Sequence, residues 1–380
     1  MEKVTIIGGG VIGLTTAVIL EEYPKLEEYD IRIIEKSDQL GSKSTLSAGC
    51  GLRTLYRHET NLELAIRGLR FWSNSNDLLG REIGFRRNGY LFLTDDKETS
   101  EVLHRQSKKQ HVNGIPTVIN PSTEDHPALH NINTDQYRTS LILPQSALAS
   151  PDKIIKALKN VAVSKGVSIN RGERVESINT ESDGAQVTTD KSEYESDHVV
   201  NAAGAWSNHI AEMVDVNLPI RNTRRRLSVL DLSVNHNMPL TVDIDTGVYL
   251  LPNQDGKLMA GGNILRGNDK YDAENPESFS ESIDQKWEQE FRSLSPRIRT
   301  DLSEATVEES WTGLYTMTES RVPIIEEQNN VVHACGFSGH GIMQAPGAAL
   351  VVARKICGDH DNDLSGLSTK NREFNPDIQF

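Results

Sequence analysis

The apolar residues near the start of the chain form two short runs with a helical pattern between them. Val4–Ile7 and Ile31–Ile34 are apolar runs of strand length, and Leu14 and Val18 lie on one face of the segment that joins them. Short apolar runs predict buried strands, and helical spacing predicts a helix that packs on them. The first 35 residues are therefore predicted to fold as a strand, a helix and a second strand.

A second unit of this kind lies near the other end of the chain. Val331–Cys335 predicts a buried strand, residues 336–341 predict a glycine-rich turn, and an apolar helix is predicted from near Met343 to Ile356. Pro346 is placed in the first turn of that helix, where proline is tolerated. The polar tail after Gly358 is expected to cover the surface or to fray.

Between these units the pattern becomes more strand-like. Asn61–Phe71 and Pro151–Lys165 predict helices, the second with Ser150 as its N-cap, and Glu281–Leu294 predicts a polar helix. Strands are predicted within 86–93, 167–178, 185–189 and 198–201, and repeatedly over 220–262, where residues 247–252 and 258–262 resemble a hairpin. No element is assigned to the polar residues 98–138.

The composition is that of a globular protein with room for two domains. The chain has 380 residues, a formal net charge of −14 and a mean hydropathy of −0.46. The negative charge would repel phosphates, which argues against nucleic acids and anionic membranes as partners. No apolar run has the length of a membrane span, so no transmembrane segment is expected.

The cysteines indicate a reducing compartment. Cys50, Cys335 and Cys357 lie far apart and form no C-x-x-C pair, which argues against a disulfide framework and a structural zinc site. Because the first strand begins at residue 3, no signal peptide is expected. We expect a cytoplasmic protein, and attachment to the surface of a membrane is left open.

Two charged or polar segments have plain structural interpretations. Pro127 interrupts the helix that would align His126 and His130, so we expect no metal site there. The basic segment Arg221–Arg226 is predicted to be a solvated or ion-paired strand edge, and a phosphate or polyanion site is the alternative.

The turn after the first strand matches the motif G-x-G-x-x-G. Gly8 permits a tight turn, Gly10 lets the backbone approach a pyrophosphate, and Gly13 lets the helix pack closely on the strand. Glu35 ends the second strand, where a carboxylate can accept both ribose hydroxyls and disfavours a 2′-phosphate. The unit predicts NAD or FAD at the positive end of the first helix. A glycine turn that only packs a strand against a helix is the alternative.

The glycine-rich turn at 336–341 points to a second wall for such a ligand. The helix after it would direct free N–H groups and the positive end of its dipole at whatever the turn encloses. A positive helix terminus suits the N1/O2 side of a reduced, anionic flavin. A purely structural connection between strand and helix is the alternative.

Six segments, spread over nearly the whole chain, carry a family resemblance. They are Gly8–Gly13, Gly51–Arg53 with Asn61 and Leu64 downstream, Gly89–Leu93, Val199–Ser207, Thr312–Thr318 and, most specific of all, Cys335–Gly341. Together they resemble FAD-dependent amine oxidoreductases of the D-amino acid oxidase superfamily. The similarity is strongest to β-type chains of sarcosine oxidase and to proline and dimethylglycine dehydrogenases.

The resemblance implies FAD as the cofactor and a fold of two parts. One part is a glutathione-reductase-like FAD-binding domain, an α/β fold of the Rossmann type, expected at 1–88, 146–215 and 316–380. The other is an inserted substrate domain with an antiparallel sheet, expected at 89–145 and 216–315. In such enzymes the substrate carbon lies against flavin N5, hydride passes to the flavin, and the imine is hydrolysed.

The resemblance also assigns roles to individual residues. Arg53 is expected to bind the substrate carboxylate through two parallel donors, with a surface arginine as the alternative. Tyr249 and Tyr315 are expected to flank the amine or donate to the carboxylate, unless they are core residues, and His340 to contact the flavin. The expected cofactor contacts are Gly8, Gly10, Val11, Ile12, Gly13, Glu35, Lys36, Ser44, Thr45, Gly49, Val175, Ala203, Gly204, Trp206, Gly313, Gly336, Ser338, Gly339, His340, Gly341 and Ile342.

Four positions depart from the relatives. Gly313 and Ser47 stand where some relatives carry the cysteine or histidine that attaches FAD, so noncovalent FAD is expected. Met259 stands where monomeric sarcosine oxidases have a lysine that promotes reaction with oxygen, which favours a dehydrogenase over an oxidase. Met343 replaces a lysine that helps to hold the carboxylate, which weakens the prediction of sarcosine itself.

The function implied is oxidation of a secondary or N-methylated amino acid, such as L-proline or sarcosine, with an unidentified electron acceptor. A D-amino acid dehydrogenase or oxidase is the nearest alternative. A noncatalytic, FAD-bound assembly factor is a third reading. Whether the chain is one subunit of a hetero-oligomer is left open.

Overall fold

The computed structural model describes residues 1–21, 29–181, 184–262, 264, 274–282 and 285–358. The helices are α1 (Val11–Leu20), α2 (Glu59–Ser73), α3 (Ser75–Leu79), α4 (Lys97–Val112), α5 (Pro151–Ser164), α6 (Ser207–Glu212), α7 (Gln285–Leu294) and α8 (Gly341–Ile356). The polar tail predicted after Gly358 lies outside the described residues.

The strands form two large sheets and two small ones. They are β1 (Lys3–Ile7), β2 (Asp30–Glu35), β3 (Gly51–Leu52), β4 (Tyr90–Thr94), β5 (Val118–Ile119), β6 (Thr139–Leu143), β7 (Ala147–Leu148), β8 (Ser168–Arg171), β9 (Val175–Glu181), β10 (Gly184–Thr189), β11 (Glu193–Ser196), β12 (His198–Asn201), β13 (Ile220–Ser233), β14 (Leu240–Asp243), β15 (Val248–Pro252), β16 (Lys257–Gly262), β17 (Val307–Thr318), β18 (Ile324–Gln328) and β19 (Val331–Cys335).

The six-stranded sheet joins the two ends of the chain, as the paired glycine units predict. Its order is β18-β19-β12-β1-β2-β8, and its strands are parallel except for β18 at one edge. The apolar runs of β1 and β19 are buried along nearly their whole length, as is usual for parallel strands covered on both faces. The turns after β1 and β19 therefore lie at the same edge of the sheet.

The eight-stranded sheet has the order β17-β13-β16-β15-β14-β4-β6-β5 and takes its strands from residues 90–143 and 220–318. The hairpin predicted from 247–252 and 258–262 is present as β15 and β16. The sheet was expected to be antiparallel, but β14 and β4 pair in parallel, so it is mixed. Its strand β17 runs to Thr318, past the boundary expected at 315, and the division of the chain into two domains remains a prediction.

The strand predicted at 167–178 is two strands in different sheets. Strand β8 pairs with β2 in the six-stranded sheet, whereas β9 pairs with β10 in a three-stranded sheet. Between them Gly172 has a φ of +60°, a left-handed conformation that ends an extended run. Buried positions lie just before β8, at Val167, and within β9, at Val175 and Ile178, so the apolar pattern spans the turn although every residue of β8 is partly exposed.

Helix α4 occupies part of the region to which the sequence pattern assigned no element. Its N-cap, Asp96, accepts a hydrogen bond from the Thr99 N–H at 2.7 Å. Its buried face includes Ser100, Ser107 and Gln110 beside Leu103, so polar residues conceal the helical pattern. The Gln110 amide is fully buried and donates to the carbonyl of Thr54 at 2.8 Å, which fixes the loop that carries Arg53.

Helix α8 begins at Gly341, earlier than the predicted start near Met343, so Pro346 lies in the second turn and not the first. A proline there cannot donate to the carbonyl of Ile342. The Trp72 indole N–H donates to that carbonyl instead, at 2.8 Å. This hydrogen bond removes the usual penalty of a proline inside a helix.

Helices α2 and α8 cross at glycines. A Cβ atom at Gly68 would lie 1.7 Å from the Met343 carbonyl oxygen, and one at Gly347 would lie 2.8 Å from the Leu64 carbonyl oxygen. Because the backbones touch here, α2 holds the start of α8 firmly against the six-stranded sheet.

The basic segment Arg221–Arg226 lies on β13 and pairs with β17. Arg224 forms an ion pair with Glu274 at 3.5 Å, as expected of an ion-paired strand edge. The expectation of solvation is wrong for Arg226, which is buried, and for Arg225, which faces a cavity. Because side chains alternate along a strand, Arg225 lies on the face opposite to Arg224 and Arg226.

Candidate active site

One cavity, of about 510 Å³, lies at the carboxyl ends of β1 and β2. This is where a sheet of this type binds ligands. It brings together predicted cofactor residues from distant parts of the sequence. Those that line it are Gly8, Gly10, Glu35, Lys36, Ser44, Thr45, Val175, Ala203, Gly204 and Trp206.

The three glycines of the first motif have different structural roles. Gly8 has a φ of +112°, and a Cβ atom there would lie 2.4 Å from the Ala202 carbonyl oxygen. A Cβ at Gly13 would lie 2.0 Å from the Gly8 carbonyl oxygen, so Gly13 packs helix against turn and is not part of the cavity lining. A Cβ at Gly10 would meet only the Thr45 hydroxyl, at 3.5 Å, and would otherwise project into the cavity.

Glu35 is held by two backbone donors. Its Oε2 accepts from the Gly9 N–H at 2.8 Å and its Oε1 from the Ser37 N–H at 2.8 Å. Each carboxylate oxygen can accept a further hydrogen bond. The geometry therefore fits a ribose at this edge, and that role remains a prediction.

A second cavity, of about 410 Å³, adjoins the first and shares Gly10, Ser44, Thr45 and Gly204 with it. It lies between the glycine-rich turn 336–341 and the eight-stranded sheet. Further predicted residues that line it are Val11, Ile12, Gly49, Arg53, Tyr249, Tyr315, Gly336, Ser338, Gly339, His340, Gly341 and Ile342. Gly313 lines a third, neighbouring cavity.

The helices that begin at these cavities receive little capping from side chains, although the Val11 N–H of α1 donates to the Thr45 hydroxyl at 3.2 Å. Helices α2, α4 and α5 have capping side chains at His58, Asp96 and Ser150. By contrast, the N-caps of α1 and α8, Gly10 and His340, make no side-chain capping bond. The first turn of a helix has N–H groups that need acceptors. An elongated ligand with a pyrophosphate near α1 and a flavin near α8 would supply them, so the site fits FAD.

Arg53 lies deep in the second cavity, with 9% of its surface exposed. Its guanidinium lies 4.2 Å from the centre of the Tyr56 ring, and Nη1 donates to the carbonyl of Leu55. Its Nη2 lies 3.3 Å from Nε2 of His340. These contacts hold a cation at the cavity wall, so the alternative of a surface arginine does not hold.

His340 is a neutral imidazole. Burial, followed by the positive charges of Arg53 and Arg321, holds its pKa well below the usual range. A neutral ring that accepts from Arg53 at Nε2 carries its proton on Nδ1. That Nδ1 is buried and has no hydrogen-bond partner within the described part of the chain. The ring therefore holds a buried donor beside the cavity that the residue lines.

Tyr249 and Tyr315 line the cavity as protonated phenols. Burial raises the pKa of both, well above the usual range for Tyr249. For Tyr315 the charges of Arg225 and Arg53 oppose that rise. The Tyr315 ring packs against the glycine-rich turn 336–341, since a Cβ atom at Gly339 would lie 2.2 Å from its Cε2. Both phenols can donate hydrogen bonds to an anion.

Sequence reasoning missed three residues that the structure places in this cavity. Arg225 lies 5.2 Å from the centre of the Tyr315 ring, while Tyr90 and Arg321 also line the wall. Arg225 is paired in register with Gly313 across β13 and β17. That pairing was the only signal that could have found it, and a single sequence does not give strand register.

The two positions at which relatives attach FAD covalently are neighbours here. A Cβ atom at Gly313 would lie 3.0 Å from Cβ of Ser47. A cysteine, Cys50, also lines the cavity, but burial raises the pKa of its thiol to about 12. A protonated thiol is a poor nucleophile.

FAD is therefore expected to be released from this protein by acid precipitation, since no activated nucleophile faces it at these positions. Flavin absorbance should appear in the supernatant and the pellet should be colourless. Cys50→Ser should behave identically. A pellet that stays yellow would contradict noncovalent binding, and loss of that colour in Cys50→Ser would identify the attachment site.

A family model described as DAO: FAD dependent oxidoreductase matches residues 3–355. The chain belongs to this family. Membership confirms FAD dependence and the predicted FAD-binding fold. Within the described residues, no helix combines the length and the apolarity needed to cross a bilayer.

Members of the DAO family that are similar to this chain differ in what their names say they oxidise. A glycerol 3-phosphate dehydrogenase of Caloramator mitchellensis is 26% identical over 99% of this chain and 77% of its own length. The mitochondrial dimethylglycine dehydrogenase of Rattus norvegicus is 24% identical over 67% of this chain but only 30% of its own length.

The fold of this DAO-family chain is that of solved flavoenzymes. The crystal structure of L-proline dehydrogenase from P. horikoshii superimposes with a TM-score of 0.85 at 24% identity, covering 97% of this chain and 96% of the other. This likeness supports the fold. The substrate has to be argued from the side chains of the cavity.

Proposed function

We propose that this chain oxidises the C–N bond of an amino acid that carries a secondary or N-methylated amine. The observation that carries the proposal is the buried Arg53 guanidinium, which faces the same cavity as the uncapped end of α8. When bound, FAD would accept a hydride from the carbon next to the amine. The chain's own residues would then have to orient the substrate and keep its amine uncharged.

Orientation of a carboxylate is the task that Arg53 suits. A guanidinium offers parallel donors in the geometry of a carboxylate. The Tyr315 and Tyr249 phenols line the same cavity and remain donors at neutral pH because burial raises their pKa. These groups favour an amino acid over a simple amine.

The amine must lose its proton before the adjacent carbon can release a hydride, because its lone pair has to form the imine bond. Arg53 would favour this, since a nearby cation stabilises the uncharged form of an amine. His340 is neutral and would not act as a strong acid. Loss of one proton and one hydride from the ammonium form gives an iminium ion, which water hydrolyses to a carbonyl group and an amine.

A secondary or N-methylated amine is favoured over a primary amine by the lining next to Arg53. Met343 lines the cavity, and the Tyr56 hydroxyl donates to its sulfur at 2.6 Å. An apolar side chain at this position suits the carbon substituent of such an amine. The sequence similarity to a dimethylglycine dehydrogenase supports this choice.

The test is an anaerobic titration of the yellow protein with L-proline, sarcosine, dimethylglycine, several D-amino acids and glycerol 3-phosphate. We expect the flavin absorbance to bleach with one of the first three compounds. Bleaching by D-amino acids or by glycerol 3-phosphate alone would contradict the proposal. A flavin that stays oxidised with every compound would favour a noncatalytic, FAD-bound protein.

Admission of air to the reduced protein tests the choice between dehydrogenase and oxidase. Met259 and Leu251 are cross-strand partners, so their side chains lie on the same face of the sheet. Leu251 lies next to Gly49, which lines the cavity, and this places the apolar Met259 side chain on the face that is turned toward the cavity. Without a lysine at this position, oxygen reduction lacks the cation that monomeric sarcosine oxidases place there to stabilise superoxide. Reoxidation should be slow in air and fast with an artificial acceptor. Fast reoxidation by air would contradict a dehydrogenase.

A further inference from the structure

The rim of the cavity next to β2 is closed by a segment from the predicted substrate domain. We name residues 274–282 the strap. Glu277 of the strap lines this cavity together with Lys36 and Trp206, which come from the predicted FAD-binding domain. The cavity wall is therefore made of two separate parts of the chain that meet at Glu277.

Glu277 contacts both of those residues through the same oxygen. Its Oε1 lies 3.0 Å from Nζ of Lys36 and accepts from the Trp206 indole N–H at 2.6 Å. The Lys36 ammonium also lies 3.6 Å from the centre of the Trp206 ring. The three side chains thus form a closed triad of an ion pair, a hydrogen bond and a cation–π contact.

The rest of the strap is anchored on either side of Glu277. Glu281 lies 3.6 Å from Nζ of Lys43, and the carbonyl of Ser280 accepts from the Thr312 hydroxyl at 2.7 Å. At the other end, the Glu274 N–H donates to the carbonyl of Asn222 at 2.8 Å. These contacts place the Glu277 side chain over the cavity without help from the ligand.

We propose that Glu277 is a cofactor-positioning residue: through Lys36 and Trp206 it closes the adenosine half of the FAD cavity and sets how fast FAD leaves. The Trp206 indole has a single N–H, and Glu277 uses it, so the orientation of the ring depends on the strap. Lys36 is likewise drawn to the rim. Removing the carboxylate would free both side chains and open this side of the cavity.

The charges also predict a dependence on salt. The Glu277 side chain is 55% exposed and that of Lys36 is 28% exposed, so dissolved ions reach the pair. Exposed ion pairs weaken as ionic strength rises. Release of FAD should therefore accelerate with salt in the natural protein.

The experiment follows the rise of FAD fluorescence as the holoprotein is diluted at low and at high NaCl. Glu277→Gln is expected to release FAD about fivefold faster than the natural protein at low salt, because a factor of that size corresponds to the free energy of one exposed ion pair. Its rate should depend less on salt. Glu288→Gln is the matched control, because Glu288 pairs with Arg292 on α7 away from the strap. It should release FAD at the natural rate.

Equal release rates for Glu277→Gln and the natural protein at low salt would overturn the proposal. So would an equal acceleration in Glu288→Gln, which would indicate a general effect of charge. If Glu277→Gln does not fold, Glu281→Gln weakens the strap through Lys43 and should also accelerate release; no acceleration would overturn the proposal. The measurement uses no amine, so its outcome is independent of the proposed oxidation.

Discussion

Replacement of Arg53 with methionine is expected to lower kcat/KM for the amino acid that reduces the flavin by about 10²- to 10³-fold, while FAD stays bound. Truncating one member of a buried charge pair costs about 2–5 kcal/mol, or about 30- to 4,000-fold, and the expected loss lies within those limits. Methionine keeps the length and apolar stem of the side chain, so the change removes mainly charge and donors. Stopped-flow reduction of the flavin, over a range of substrate concentration, measures the effect.

Two comparisons isolate the role of Arg53 in that experiment. Arg70→Met removes an exposed arginine on α2 and should leave the kinetics unchanged. An amine that lacks a carboxylate should lose little in Arg53→Met, because it never used the guanidinium. An unchanged apparent affinity for the amino acid would rule out Arg53 as the carboxylate ligand.

Alanine at Gly10 and alanine at Gly13 are expected to fail in different ways. The Cβ atom of Gly10→Ala fits the protein but enters the cavity, so FAD affinity should fall about 10- to 100-fold in a folded protein. In Gly13→Ala the new atom would lie 2.0 Å from a backbone oxygen, which should destabilise the fold by about 1–3 kcal/mol or more. Titration of apoprotein with FAD and thermal unfolding of apoprotein measure the two effects.

The contrast between these two variants is the control. Gly10 has φ and ψ of −79° and −175°, which alanine adopts without strain, so its backbone conformation is not a reason for loss of FAD. If Gly10→Ala binds FAD as the natural protein does, the pyrophosphate does not lie against this residue. If Gly13→Ala has the same thermal unfolding temperature as the natural protein, the contact with Gly8 tolerates a methyl group.

The parts of the site that could be predicted from sequence are those that depend on local backbone geometry. The roles of the motif glycines Gly8, Gly10 and Gly13 could be recognised because each position has no room for a side chain within one strand, turn and helix or beside the ligand. The turn 336–341 was recognised for the same reason. Arg53 was found through a resemblance, and its depth in the cavity depends on Gln110 of α4, a helix that the sequence pattern did not reveal.

The parts that could not be predicted depend on long-range pairing. Arg225 reaches the cavity because β13 pairs with β17 in one particular register, and a shift of one residue would turn it to the other face. Glu277 contacts Lys36 across more than 200 residues, and the residues beside it in the sequence form no motif that indicates the contact. The start of α8 was misplaced because Pro346 was assumed to mark a first turn, whereas Trp72 satisfies the carbonyl that it leaves free.

The uncapped starts of α1 and α8 affect how much of this protein a cell keeps in the folded state. Thr45 accepts the Val11 N–H, but the empty protein leaves the other first-turn donors of α1 and α8 to water, and a ligand that satisfies them binds only the native state. Such a ligand shifts the folding equilibrium by mass action, in proportion to the logarithm of its concentration. The amount of this protein at steady state should therefore follow the supply of riboflavin, because chains made without it spend more time open to proteases.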